Sequence, residues 1–262
     1  MPSHGTRLER RGMLSASVGA LAESALVDRS GEASAIVTRA GASATFYATS
    51  LADGVAPGSL RQAVIQANAT PAADLDILHN LTIQGAGETQ TIIDASALGD
   101  RLFDARGANL VIKNAAIRGG RAQHGAGVSM VDGNLTLQNC RLIDNIATGV
   151  DDGDGEGGGV GGAIQSAEGG LSISRSSFAY SLAQGGAAAT GNTAGIAAGG
   201  ALHCDPASDL LMTGSTVRKN RALGSTGRGG GIYLEPSSGV EQIRRTVVAQ
   251  STASTDGNNI YG

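Results

Sequence analysis

A Gly-Gly-small-hydrophobic tetrapeptide recurs down the second half of the chain, and each copy is followed by the same apolar beats. The clear copies are Gly161-Gly162-Ala163-Ile164, Gly199-Gly200-Ala201-Leu202 and Gly229-Gly230-Gly231-Ile232, with Gly125-Ala126-Gly127-Val128 a looser one. Their closing hydrophobes, Val128, Ile164, Leu202 and Ile232, lie 36, 38 and 30 residues apart. Self-similarity at such a period means a repeat architecture, in which one supersecondary unit stacks on the next.

Each unit carries a second, alternating element: Leu135-Thr136-Leu137, Leu171-Ser172-Ile173 and Leu210-Leu211-Met212. A third anchor follows at Leu142, Phe178 and Val217. Three residues beyond that anchor stand Asn145, Ser181, Asn220 and Ser251, and two further on stand Ala147, Ala183, Ala222 and Ala253. Leu110, Ile112 and Ile117 fit the frame earlier, and Ile243 and Val248 fit it later. Positions i and i+2 of a strand share a face, so each unit reads as three short strands with inward hydrophobes and tight corners. Asn-Gly or Asp-Gly dipeptides do not recur between the alternating runs of each unit, as a meander of hairpins would need. A coil returning after about 30 residues instead lays equivalent strands side by side and parallel. The predicted fold is all-β: a right-handed parallel β-helix, a solenoid of about six coils over 75–262, its hand taken from the general rule for parallel crossovers. The Asn145/Ser181/Asn220/Ser251 column is predicted to face inward at a corner and bond neighbouring coils. With 41 glycines, 5 prolines and 3 % aromatics, the chain suits a thin aliphatic core with many corners. Glycine has no strict three-residue period, which excludes collagen, and 41 % hydrophobic residues at a net charge of −4 exclude a disordered polar chain.

Ahead of the coils, Ala44–Thr49 reads as a strand and 59–68 as a helix, with Ser59 as N-cap and Gln62 completing a capping box. Leu60 and Val64 would lie on the end of the rod, so residues 43–74 are expected to supply an N-terminal strand and capping helix. Ser59-Leu60-Arg61-Gln62-Ala63 resembles the CSLREA motif at the front of many secreted β-helix repeat proteins. The downstream units resemble polymorphic-outer-membrane-type repeats, whose GGA(I/L/V) and FxxN hallmarks appear at Ile164 and Leu202 and, more loosely, at Leu142–Asn145 and Val217–Asn220. Asp256–Gly262 is similar to the last coil of such proteins. The resemblance implies a pectate-lyase-like (pectin lyase-like) β-helix, a superfold that hosts both polysaccharide-cleaving enzymes and non-catalytic surface modules.

Leu8–Ala16 resembles the LEPR-xLL segment of large bacterial surface proteins, and Arg10-Arg11 also fits a twin-arginine signal. Both imply export to the cell surface or outside, so residues 1–42 are expected to be an export segment and linker, largely disordered. The expected partners are an extracellular glycan or a surface protein. A sequence pI near 5.5 argues against nucleic acid, and no apolar run reaches the ~20 residues that span a bilayer.

Candidate chemistry is sparse. Asp151, Asp152, Asp154 and Glu156 alternate with glycine in a way that suits calcium, or simply a solvated insertion; no other cofactor is expected. Asp132, Glu168, Asp205 and Glu235 each follow a Gly-Gly-hydrophobic strand by three or four residues, so stacking would align them on one edge. They are candidate catalytic carboxylates, with solvated corners as the plainer alternative. His203 shares a strand face with Asp205, but no third group stands nearby in sequence. Tyr180, Phe178 and Tyr233 look scattered, which argues against a sugar-stacking platform. Cys140 and Cys204 are expected to be unpaired, being two coils apart. The expected function is a non-catalytic module for adhesion or glycan contact; the alternative is a polysaccharide lyase or glycoside hydrolase using the acidic edge.

Overall fold

A computed structural model describes residues 35–39, 45–48, 74–150, 157–186, 195–236 and 240–262. Among them there are strands and turns and no helix. Seven strands, Leu75–Ile77, Phe103–Arg106, Val128–Val131, Ile164–Ala167, Leu202–Cys204, Ile232–Leu234 and Ile260–Tyr261, form one sheet in which every pair is parallel. These seven strands mark six full turns of a parallel β-helix. A second sheet carries Leu81–Gln84, Asn109–Lys113, Asn134–Gln138, Gly170–Ser174, Asp209–Thr213 and Glu241–Arg244. A third runs from Ile92–Asp94 to Val247–Ala249.

From the second turn on, each turn holds more than the three strands read from the sequence. The alanine column marks a fourth sheet, Arg121–Ala122 to Thr252–Ala253. The glycine-rich segment before each tetrapeptide forms a fifth, made of Gly159–Val160, Ala197–Ala198 and Gly227–Arg228. Both were missed because strands of two or three residues are too short to show an alternation.

The first coil's edge on the second sheet is paired antiparallel by Ala35–Arg39, which in turn pairs with Thr45–Ala48. The strand expected at Ala44–Thr49 is therefore present. Ala35–Arg39, assigned to the linker from sequence, belongs to the sheet. An open strand edge is a template for unwanted pairing, and this hairpin occupies it. The predicted capping helix at 59–68 lies outside the described residues.

The inward columns follow the predicted register. Phe103, Val128, Ile164, Leu202 and Ile232 align on the first sheet, Ile112, Leu137, Ile173 and Met212 on the second, and Ile117, Leu142, Phe178 and Val217 on the third. All are buried in one continuous core. Each large side chain so buried contributes roughly 1.5–3 kcal/mol, so the three columns dominate cohesion along the axis. The small residues Ala183, Ala197 and Ala222 form a second, thinner cluster where the fourth and fifth sheets meet.

The tetrapeptide has a steric logic. Its first glycine adopts a left-handed conformation, with φ of 61°, 64° and 59° at Gly161, Gly199 and Gly229. The second is pressed against the next coil: a Cβ on Gly162 would lie 2.1 Å from the Gly200 carbonyl oxygen, and one on Gly200 the same distance from that of Gly230. Only glycine fits both places.

The corner after the third strand carries the expected ladder. Asn145, Ser181, Asn220 and Ser251 are buried. The Gly120 amide donates to Asn145 Oδ1 at 3.0 Å, the Ser181 amide to Asn220 Oδ1 at 2.9 Å, and the Asn220 amide to Ser251 Oγ at 3.3 Å. A second ladder, unseen in the sequence, precedes the third strand. There the amides of Cys140, Ser176 and Ser215 donate to Ser176 Oγ, Ser215 Oγ and Thr246 Oγ1 of the next coil.

Candidate functional site

Strand alternation that buries Val128 and Met130 turns Ser129 outward, and the parallel register repeats this on every coil. The result is one outward column along the first sheet: Asp76, Asp104, Ser129, Gln165, His203, Tyr233 and Tyr261. Asp104, Ser129 and His203 are buried although they point away from the core, and the others are half-buried.

Chemistry concentrates towards the later coils. His203 is 5 % exposed. Its Nδ1 lies 2.9 Å from Asp205 Oδ1, and its Nε2 lies 3.6 Å from Glu235 Oε1. Gln165 Nε2 donates to Asp205 Oδ2 at 3.2 Å, and Ser129 Oγ donates to Gln165 Oε1 at 3.4 Å. Tyr233 stacks on the imidazole with ring centroids 5.0 Å apart, and Tyr261 stacks on Tyr233 at 5.4 Å. The Arg228 guanidinium lies over the Tyr261 ring, 5.2 Å from its centroid. The fifth sheet thus flanks the column, and His124, bridged to Val160 of that sheet, continues the same flank. Burial holds the His124 imidazole below its ordinary pKa, with the positive charge of Arg101 acting in the same direction.

At the other end Asp74, Asp76 and Asp104 gather with two arginines. Arg106 Nη2 lies 3.0 Å from Asp104 Oδ2, and Arg101 Nε lies 3.5 Å from Asp74 Oδ2. Burial, reinforced by the charges of Asp76 and Asp100, raises the Asp74 carboxyl above its usual range. This cluster escaped the sequence reading because its members come from the first two coils, where the tetrapeptide is absent.

The four carboxylates expected on one edge divide into two pairs. Asp205 and Glu235 stand three residues after the inward hydrophobe, on the outward face with His203. Asp132 and Glu168 stand four residues after it and occupy left-handed corners, with φ of 52° and 55°. Coil stacking supplies the third group that His203 lacked in sequence, namely Glu235. It also unites Tyr233 with Tyr261, so these aromatics are not scattered, although their faces are turned to one another and to Arg228.

Asp151, Asp152, Asp154 and Glu156 lie outside the described residues. Cys140 and Cys204 are both free and buried. Burial pushes the Cys204 thiol up to about 12 and raises that of Cys140, so neither is a thiolate nucleophile at neutral pH. A shallow depression of about 310 Å3 on the second sheet is lined by Leu135, Leu171, Leu211 and Val240. Its carboxylate, Asp209, accepts the Val240 amide, so the chemistry of the molecule lies on the first sheet.

Fold and site define a parallel β-helix with a polar and aromatic outward column. Comparison with protein-family models, curated proteins and solved structures gave no significant match. No helix among the described residues is long and apolar enough to cross a membrane.

Proposed function

We propose that the chain is an exported, non-catalytic β-helix module that contacts an extracellular glycan along the outward column of its first sheet. The observation that carries this reading is the unbroken, in-register run from Asp76 through Gln165 and Tyr233 to Tyr261. A linear polymer lying along the axis passes one outward side chain about every 4.8 Å, of which the half-buried Asp76, Gln165, Tyr233 and Tyr261 are open to contact. Because the tyrosines turn their faces to one another, recognition relies on hydroxyl, amide and carboxylate groups rather than on ring stacking. Export is supported by the Leu8–Ala16 segment, and the class of surface protein by the likeness of Ser59–Ala63 and of the tetrapeptides to secreted repeat proteins. The test is retention of uronate-rich and neutral polysaccharides by the immobilised full chain. At least one class should bind, and Gln165→Ala and Tyr233→Ala should each weaken it. Absence of binding across the panel, or binding indifferent to both changes, would refute the reading.

A second reading, a carbohydrate-active enzyme, is favoured by the meeting of Asp205 and Glu235 at His203. Paired carboxylates of suitable separation are the machinery of glycoside hydrolysis. Release of reducing ends or unsaturated products by the parent, lost in Asp205→Ala, would replace the non-catalytic reading with this one.

A further inference from the structure

We propose that His203, Asp205 and Glu235 form a binding site for a first-row divalent transition ion, zinc being the representative case. One imidazole nitrogen and one oxygen from each carboxylate all lie within 4.8 Å of one another. The triad is drawn from two coils: His203 and Asp205 share a strand and its end, and Glu235 occupies Asp205's position on the next coil.

A second, independent observation points to a ligand. His203 is 95 % buried, and its Nδ1 has no hydrogen-bond partner although Asp205 Oδ1 is only 2.9 Å away. At that distance the failure is one of direction: the oxygen lies off the axis of a ring N–H. Two donors that approach without addressing each other are arranged as ligands of a common third body. Metal–donor bonds of about 2.0–2.2 Å at the tetrahedral angle of a zinc site place neighbouring donors about 3.3–3.6 Å apart, so the 2.9 Å Nδ1–Oδ1 pair opens by about half an ångström to hold the ion.

Charge points the same way. Among the described residues no lysine or arginine is paired with Asp205 or Glu235. The Asp74/Asp76/Asp104 cluster, by contrast, holds Arg101 and Arg106, so cations already fill it. The donor set also selects the ion. One imidazole with two carboxylates suits zinc or manganese, whereas calcium takes oxygen donors alone. The partners behind the donors are in place: Gln165 fixes Asp205 through Oδ2 and leaves Oδ1 facing His203, and Tyr233 holds the plane of the ring. Such outer contacts orient ligands in metal sites generally. Three protein donors leave coordination positions for water, the arrangement of an open rather than a closed zinc site.

The site does not depend on glycan binding and is tested separately. The full chain, stripped with EDTA and desalted, is titrated calorimetrically with ZnCl2, MnCl2 and CaCl2 in turn. One saturable zinc site is expected on the triad, with manganese weaker. His203→Ala should abolish it, Glu235→Gln and Asp205→Asn should each weaken it by at least about tenfold, and His79→Ala should leave it unchanged. Zinc should raise the melting temperature of the parent but not of Glu235→Gln. Because His203→Ala removes a buried ring, Glu235→Gln with a parental circular dichroism spectrum is the deciding variant. No saturable zinc binding, zinc binding that survives both Glu235→Gln and His203→Ala, or calcium binding in preference to zinc that Glu235→Gln abolishes would each overturn the proposal.

Discussion

Replacing Asn220 by alanine removes the most heavily used side chain of the corner ladder, and the loss can be worked out from its partners. Asn220 Oδ1 accepts the Ser181 amide at 2.9 Å, while Nδ2 donates to the carbonyls of Phe178 and Arg218 at 3.2 and 3.0 Å. The residue is wholly buried. Alanine leaves the Ser181 N–H inside the rod without a partner and takes one bond each from the Phe178 and Arg218 carbonyls. A stranded donor costs about 1–3 kcal/mol and each lost bond about 0.5–1.5 kcal/mol, so the loss should come to roughly 2–6 kcal/mol. Ser251→Ala is the internal calibration, because it removes only the acceptor of the Asn220 amide, and about 1–2 kcal/mol is expected. Urea denaturation followed by far-ultraviolet circular dichroism measures both, with midpoints compared at constant slope. If Asn220→Ala lost less than about 1 kcal/mol, or no more than Ser251→Ala, the ladder would not be what holds neighbouring corners together.

Two further expectations concern sterics and protons. Gly200→Ala would put a Cβ 2.1 Å from the Gly230 carbonyl oxygen, whereas Gly158→Ala meets nothing nearer than 3.6 Å. The first should therefore cost about 1–3 kcal/mol or more and the second almost nothing, and equal melting temperatures would contradict the close-approach account of the tetrapeptide. The folded-state pKa of His124 is depressed by burial, so the unfolded chain binds the proton more readily. Stability should be complete above the unfolded histidine value of about 6.5 and fall as pH drops towards the folded value. His124→Gln should flatten that part of a melting-temperature profile between pH 5 and 8, and an unchanged acid slope would show that His124 is not its source.

The solenoid was legible in the chain because its determinants are local. Period-two alternation in Leu135–Leu137 or Leu171–Ile173, a glycine pair before each inward hydrophobe, and Asn or Ser three residues past Leu142, Phe178 and Val217 each encode one strand face or one corner. Stacking merely repeats them. The two- and three-residue strands of the fourth sheet, and of the fifth that flanks the column, were too short for that signature, and the antiparallel Ala35–Arg39 strand lacked it.

The candidate site was decided only by tertiary structure. Asp132, Glu168, Asp205 and Glu235 look equivalent along the chain, yet a strand reverses its face with every residue. Three positions past the hydrophobe therefore leads to His203, and four leads to a left-handed corner. Glu235 stands next to Asp205, and Tyr261 next to Tyr233, because coil-to-coil hydrogen bonding sets them in register. The shared three-residue offset from the tetrapeptide already aligned Asp205 with Glu235, whereas Tyr261 follows Gly257-Asn258-Asn259-Ile260, which lacks the tetrapeptide, so only coil stacking sets it beside Tyr233.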